Sequence, residues 1–203
     1  FKGKIYGSEP TLKIAEIILK DSAKIQEEEA ARANKEGYSQ HHPAEAFYDL
    51  KDVEKTTALF HSVTEGKWHF IEDEFKIRWQ YNGHIIGSTF IEIETHGKRL
   101  VFSGDIGRKN DLLLYPPKKP DKADVMLIES TYGGRIHPEE ESIIPELERI
   151  INETIERGGS LFIPSFAVER TQLMMVMIWQ LLKEKRIPEI PMVMDSPMGA
   201  NVL

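Results

Sequence analysis

Apolar positions fall into short extended runs and longer helical stripes that alternate along the chain. The opening segment FKGKIYGS reads as a short strand, and Pro10 suits the first turn of a helix, where its missing N–H is not needed. Through TLKIAEIILKDSAKIQ the helical period places Leu12, Ala15, Ile18 and Leu19 on one face. The charged EEEAARANKEG stretch continues as a solvated helical end and stops near Gly37. SQHHPAEAF reads as a loop. Asp49 then predicts an N-cap for a second helix, in which Leu50, Val53, Thr57 and Phe60 recur at helical spacing.

After GKWHFIEDEFKIRWQ the period changes to two. STFIEIET and KRLVFSGD flank a His96–Gly97 turn and predict a hairpin, with DVMLIES as a further short apolar strand. From about residue 133 the texture is α/β. A helix over residues 145–157 ends at Gly158–Gly159, SLFIPSF reads as a strand, and RTQLMMVMIWQLLKEK reads as a mostly apolar helix. Met174, Met175 and Met177 on that helix are expected in the core, and PMVMDSP reads as another strand. The change of texture sets an expected division into residues 1–132 and 133–203.

Composition narrows the chemistry. Apolar residues make up 40% and charged residues 29% of 203, as in an ordinary globular protein. Cysteine is absent, so a transition-metal site has only His, Asp and Glu to use. The same absence fits a reducing cytoplasm, the expected location. No apolar run approaches the roughly 18 residues of a membrane span, so no membrane partner is expected. The net charge is −7, from 26 basic and 33 acidic side chains, so any nucleic acid must be met by a local patch or by bound cations. A start at Phe1 and a stop at MGANVL suggest a piece of a longer protein.

The acidic residues matter by position. Asp105, Glu129 and Asp195 each stand where an apolar strand runs out, the end at which open α/β sheets build their sites. Taken singly, each equally suits the cap of a following turn. His84 lies at a similar bend, between the glycines of NGHIIGS, and alone suits a plain turn histidine. Together His84 and Asp105 offer imidazole nitrogen and carboxylate oxygen, which bind zinc at roughly 2.0–2.2 Å. One carboxylate also bridges two metals spaced roughly 3.5–4 Å apart. Gly83, Gly87 and Gly104 would let the backbone pass close to such a cluster. A histidine and an aspartate a hairpin apart do not by themselves make a metal site.

NGHIIGST, FSGDIGR, IESTYGGRIHPE, IPSFAVERTQ and MDSPM occur in that order, with IYGSEPT before them. This series resembles the β-CASP branch of the metallo-β-lactamase fold, the RNA-processing nucleases that include bacterial and archaeal relatives of the pre-mRNA 3′-end cleavage factor. The resemblance implies an α/β chain: part of a metallo-β-lactamase αββα sandwich, then the start of a Rossmann-like β-CASP domain. It implies that His84 is a ligand to one zinc, that Asp105 bridges two zincs, and that Glu129 acts around the leaving group. The implied substrate is RNA, with single-stranded DNA in other branches. The implied reaction is in-line attack of a metal-activated hydroxide on phosphorus. A homodimer is a further expectation.

The sequence also departs from the family. The HxHxDH string that supplies most zinc ligands is absent, and His41, His42, His61, His69, His96 and His137 do not reproduce its spacing. Two ligands are too few for a catalytic zinc site, so the chain by itself is expected to be inactive and its longer parent to be the nuclease. The alternative is a catalytically inactive scaffold or RNA-binding subunit of the same fold. A hydrolase of small esters is disfavoured, because SFAVERTQ and MDSPM belong to the inserted domain. In IPSFAVERTQ, Ser165 and the helix N-terminus suit a phosphate, and Arg170 suits a bidentate contact with it. Equally, Ser165 merely ends a strand and Arg170 meets solvent. His137 reads as a turn residue.

Overall fold

The computed structural model describes residues 1–136 and 143–203, so His137 lies outside the described residues. Two compact units divide the chain, Phe1–Glu129 and Ser130–Leu203. The class is mixed α/β, and among the described residues no helix is long and apolar enough to cross a membrane.

In the first unit, β1 (Ile5–Ser8) runs straight into α1 (Glu9–Glu36). Ser8 makes the junction: its hydroxyl accepts the Thr11 N–H at 3.2 Å, satisfying an amide that has no partner inside the helix. Gly37, at φ 72°, ends α1 with its N–H on Ala33 O, a left-handed cap that favours glycine. The expected single stripe on α1 is not what packs. Ile18 is 40% exposed, whereas Ile14 and Ala23 are buried. Nine residues at about 100° each put those two on opposite sides of the helix. A stripe assumes one neighbour, and α1 meets β1, β2 and α2 along its length.

α2 (Leu50–Thr57) starts at Asp49 in a reciprocal capping box with Asp52, as the cap predicts. Phe60, expected on this helix, instead opens β2 (Phe60–Val63), which pairs in parallel with β1 through Ile5 and Phe60. The helical spacing of Phe60 is real, but a ladder partner far away in sequence decides its conformation.

The remaining strands form one sheet in chain order: β3 (Trp68–Glu72), β4 (Phe75–Tyr81), β5 (Thr89–Thr95), β6 (Lys98–Phe102) and β7 (Val125–Leu127). β5 and β6 are the predicted hairpin. Its His96–Gly97 turn has positive φ at both residues, 48° and 69°, the geometry whose twist matches paired strands. One face carries a charged ladder of Lys76, Arg78, Glu92, Glu94 and Arg99. Glu92 is fully buried there, with Arg78 Nε at 2.5 Å and Gln80 Nε2 at 3.1 Å from one oxygen.

The second unit is built on α3 (Ile143–Glu156) and α4 (Arg170–Lys183), with the short α5 (Pro197–Val202). Leu147, Ile151, Met177, Leu181 and Ile187 form its core, and Met174 packs against it. Met175, expected inside, is 42% exposed because it falls off the face that α4 turns to α3. SLFIPSF and PMVMDSP, expected as strands, carry no ladder among the described residues, and Phe162 and Val193 are 86% and 88% exposed. An apolar extended run becomes a strand only when a neighbour takes its N–H and C=O groups.

Candidate metal centre

Sheet direction gathers the candidate residues of the first unit. β4 and β6 both run antiparallel to β5, and β7 runs parallel to β6. The carboxyl ends of β4, β6 and β7 therefore share one edge, and His84, Asp105 and Glu129 each follow one of those strands within three residues.

His84 Nε2 and Asp105 Oδ2 converge to 3.7 Å, with the side chains 36% and 72% exposed. The pair is open to solvent rather than sealed. Glu129 sits beside it in a different way: its Oε1 accepts the N–H of Ile106 at 2.7 Å, while its own N–H donates to Ser103 Oγ at 3.0 Å. The carboxylate thus holds the backbone immediately after Asp105.

The two ligand-bearing loops are bonded directly to each other. Asn82, almost fully buried, donates from Nδ2 to Ser103 O at 3.0 Å, and its own carbonyl accepts the Gly107 N–H at 2.9 Å. Ser88 Oγ accepts from the backbone N–H groups of His84 and Ile85, both at 3.1 Å. Sequence reasoning missed Asn82, Ser88 and Gly107. An Asn-Gly pair and a short loop closed by serine were the available signals, and both also read as ordinary turn chemistry. Gly83 and Gly87 adopt φ 72° and 81°, yet their close approaches are to protein: a Cβ on Gly83 would lie 2.8 Å from Tyr115 O, and one on Gly87 2.6 Å from Thr11 N.

One imidazole nitrogen and one carboxylate oxygen, 3.7 Å apart, fit two positions of a zinc coordination sphere. Among the described residues no group of three or more His, Asp or Glu side chains is placed to complete it.

In the second unit, Ser165 is exposed and Arg170 is half-buried at the first position of α4. The turn before that helix is tied to itself. Glu169 takes φ 69° and ψ −54°, Arg170 N–H donates to Val168 O at 2.9 Å, and Thr171 donates to Phe166 O from both N–H and hydroxyl. Those two amides are occupied within the turn, which leaves the Ser165 hydroxyl and the Arg170 guanidinium as donors to consider for a phosphate. Asp195 precedes Ser196, whose hydroxyl caps α5 by accepting Gly199 N–H at 3.0 Å.

No family model matches the chain. Individual relatives do. The chain is 30% identical over all 203 of its residues to Ribonuclease TTHA0252 of Thermus thermophilus, and covers 42% of that protein. It is 28% identical over 193 residues to Endoribonuclease YSH1 of Kluyveromyces lactis, which spans 91% of this chain and 24% of the relative. It is 30% identical over 205 residues to Transcription termination factor FttA of Lokiarchaeum, 97% of this chain and 30% of the relative. The chain thus spans less than half the length of these curated relatives. Over the part of their length that it spans, it belongs with the metallo-β-lactamase/β-CASP family of RNA-processing nucleases.

Proposed function

We propose that these 203 residues are part of a zinc-dependent phosphodiesterase that cleaves RNA. The observation that carries this reading is the 3.7 Å convergence of His84 Nε2 and Asp105 Oδ2 at the shared strand edge, with Glu129 anchoring the adjoining backbone. The names of the relatives, a ribonuclease and an endoribonuclease, support RNA as the substrate class. When bound, zinc supplies Lewis acidity toward water and phosphoryl oxygen. His84 would hold one ion through its imidazole, and the two oxygens of Asp105 would serve two. Glu129 keeps the Asp105 loop in register through Ile106, which fixes where that carboxylate points. Ser165 and Arg170 are the proposed contacts to substrate phosphate.

Two donors do not make a catalytic zinc site, so the same proposal has the 203-residue chain inactive by itself and active only with an HxHxDH segment in the same polypeptide. The test measures zinc content and cleavage of a labelled single-stranded RNA, with single-stranded DNA alongside. This chain is compared with a longer polypeptide that carries HxHxDH. About two zincs and cleavage in the longer form alone, both lost in His84→Ala or Asp105→Ala, is the expected result. A longer form that folds but neither binds zinc nor cuts would establish an inactive scaffold instead.

A further inference from the structure

The loop between β4 and β5 is held by a distant element. Gly87 O lies 2.6 Å from Thr11 Oγ1 and 2.7 Å from Ser8 Oγ, two hydroxyls at the start of α1 that are 76 and 79 positions away in the chain. The contact leaves no room for a side chain: a Cβ on Gly87 would sit 2.8 Å from Pro10 Cβ as well as 2.6 Å from Thr11 N. Within the loop, the backbone N–H groups of His84 and Ile85 both donate to Ser88 Oγ, and Ser88 N–H donates to Ile85 O at 3.0 Å. Residues 84–88 are therefore tied into one hydrogen-bonded loop, so a bond that holds Gly87 also bears on the backbone that carries His84. The opposite end is fixed by Asn82, through Ser103 O and Gly107 N–H.

Of the two hydroxyls, Thr11 is the one whose hydrogen goes to Gly87 O alone. Ser8 Oγ caps α1, and its single hydrogen is divided between Gly87 O and Thr11 Oγ1, 2.8 Å away. Thr11 is exposed in the first turn of α1, and its hydroxyl donates across the unit. We propose that Thr11 is a positioning residue: its hydroxyl clamps the Gly87 carbonyl and so holds the His84 ring against Asp105. The inference rests on the reading of His84 as a zinc ligand, and it assigns to the start of α1 a part in building that ligand.

Thr11→Val keeps the shape and removes the donor, whereas Thr11→Ser keeps the donor. Both are compared with the parent chain by amide hydrogen exchange and by the nuclear Overhauser contact between the His84 ring and Asp105, and, in the longer polypeptide that carries HxHxDH, by the response of the His84 ring signals to added zinc. One hydroxyl-to-carbonyl hydrogen bond is worth roughly three- to tenfold in an equilibrium. Thr11→Val should therefore speed exchange at residues 84–88 by roughly that factor. It should weaken the His84–Asp105 contact and raise the zinc needed for half response, while the urea midpoint falls by no more than the loss of that one bond accounts for. Thr11→Ser should restore all three readouts. Unchanged loop exchange and ring contact in Thr11→Val would overturn the proposal, as would a loss of protection spread evenly over the unit. If His84→Ala leaves zinc binding intact, the ligand reading fails, while the metal-free exchange and ring contact still decide whether Thr11 positions the loop.

Discussion

Replacing Gly107 with alanine tests the closeness of the two ligand-bearing loops. A Cβ built on Gly107 falls 1.8 Å from Gly83 O, 2.0 Å from Gly83 C and 2.6 Å from His84 N, where real Cβ contacts stay beyond 3.0 Å. The obstacle is backbone, which cannot swing aside as a side-chain tip does, so the loops must part by about 1 Å or more. Overpacking of this kind costs about 1–3 kcal/mol. The parting also strains the 2.9 Å bond from Gly107 N–H to Asn82 O, worth about 1 kcal/mol. The expected destabilisation is thus about 2–4 kcal/mol. Urea unfolding reads it through the fluorescence of Trp68 and Trp79, with Trp179 replaced by Phe so that the signal comes from the first unit. The midpoint should fall with an unchanged slope. A cost below about 0.5 kcal/mol for Gly107→Ala would refute the close packing of the His84 and Asp105 loops.

Three further outcomes follow from the packing. Arg78→Ala takes the nearest cation from the fully buried Glu92 carboxylate, leaving it Gln80 Nε2 and Arg99 Nη1 at 3.1 and 3.9 Å, and should cost about 3 kcal/mol in urea unfolding, most of it recovered when both Arg78 and Glu92 are made Met. Hydrogen bonds from Lys76 and then Arg99 pull the Glu94 pKa from 4.5 down to about 2. Its folded pKa lies below its unfolded value, so this stabilisation is complete above about pH 4.5 and drains away as pH falls toward 2. Stability–pH curves of Glu94→Gln should lose that acid slope, and an unaltered slope would discard the ladder as its source. Leu181→Ala opens a cavity at a fully buried position of the α3–α4 core and should cost about 2–5 kcal/mol, read by the melting of that unit followed through Trp179.

Much of the local architecture was legible because its causes are local. Ser8, Asp49 and Gly37 carry the chemistry of helix ends in their own side chains or in the lack of one. The β5–β6 hairpin follows from strict alternation on both sides of a two-residue turn. The placement of His84, Asp105 and Glu129 after apolar strands was visible for the same reason. Phe60 was misread because its parallel partner, Ile5, lies 55 positions earlier in the chain, and no window around residue 60 contains it. The stripe on α1 was misread because several neighbours meet that helix from different sides.

By itself, then, the sequence determined the alternation of elements, the restriction of any metal chemistry to His, Asp and Glu, and a series of motifs sufficient to point to one family. Only the tertiary structure decided that His84 and Asp105 converge, because convergence depends on β4 and β6 running the same way and on Gly107 letting two backbones touch. It alone brought the Thr11 hydroxyl to Gly87, and it alone placed the Glu129 carboxylate on the Ile106 amide rather than free beside Asp105. Caps, turns and periodicity are properties of neighbouring residues. Which strand ends share an edge, and which loops press together there, is set by long-range ladders and packing that no short stretch of chain encodes.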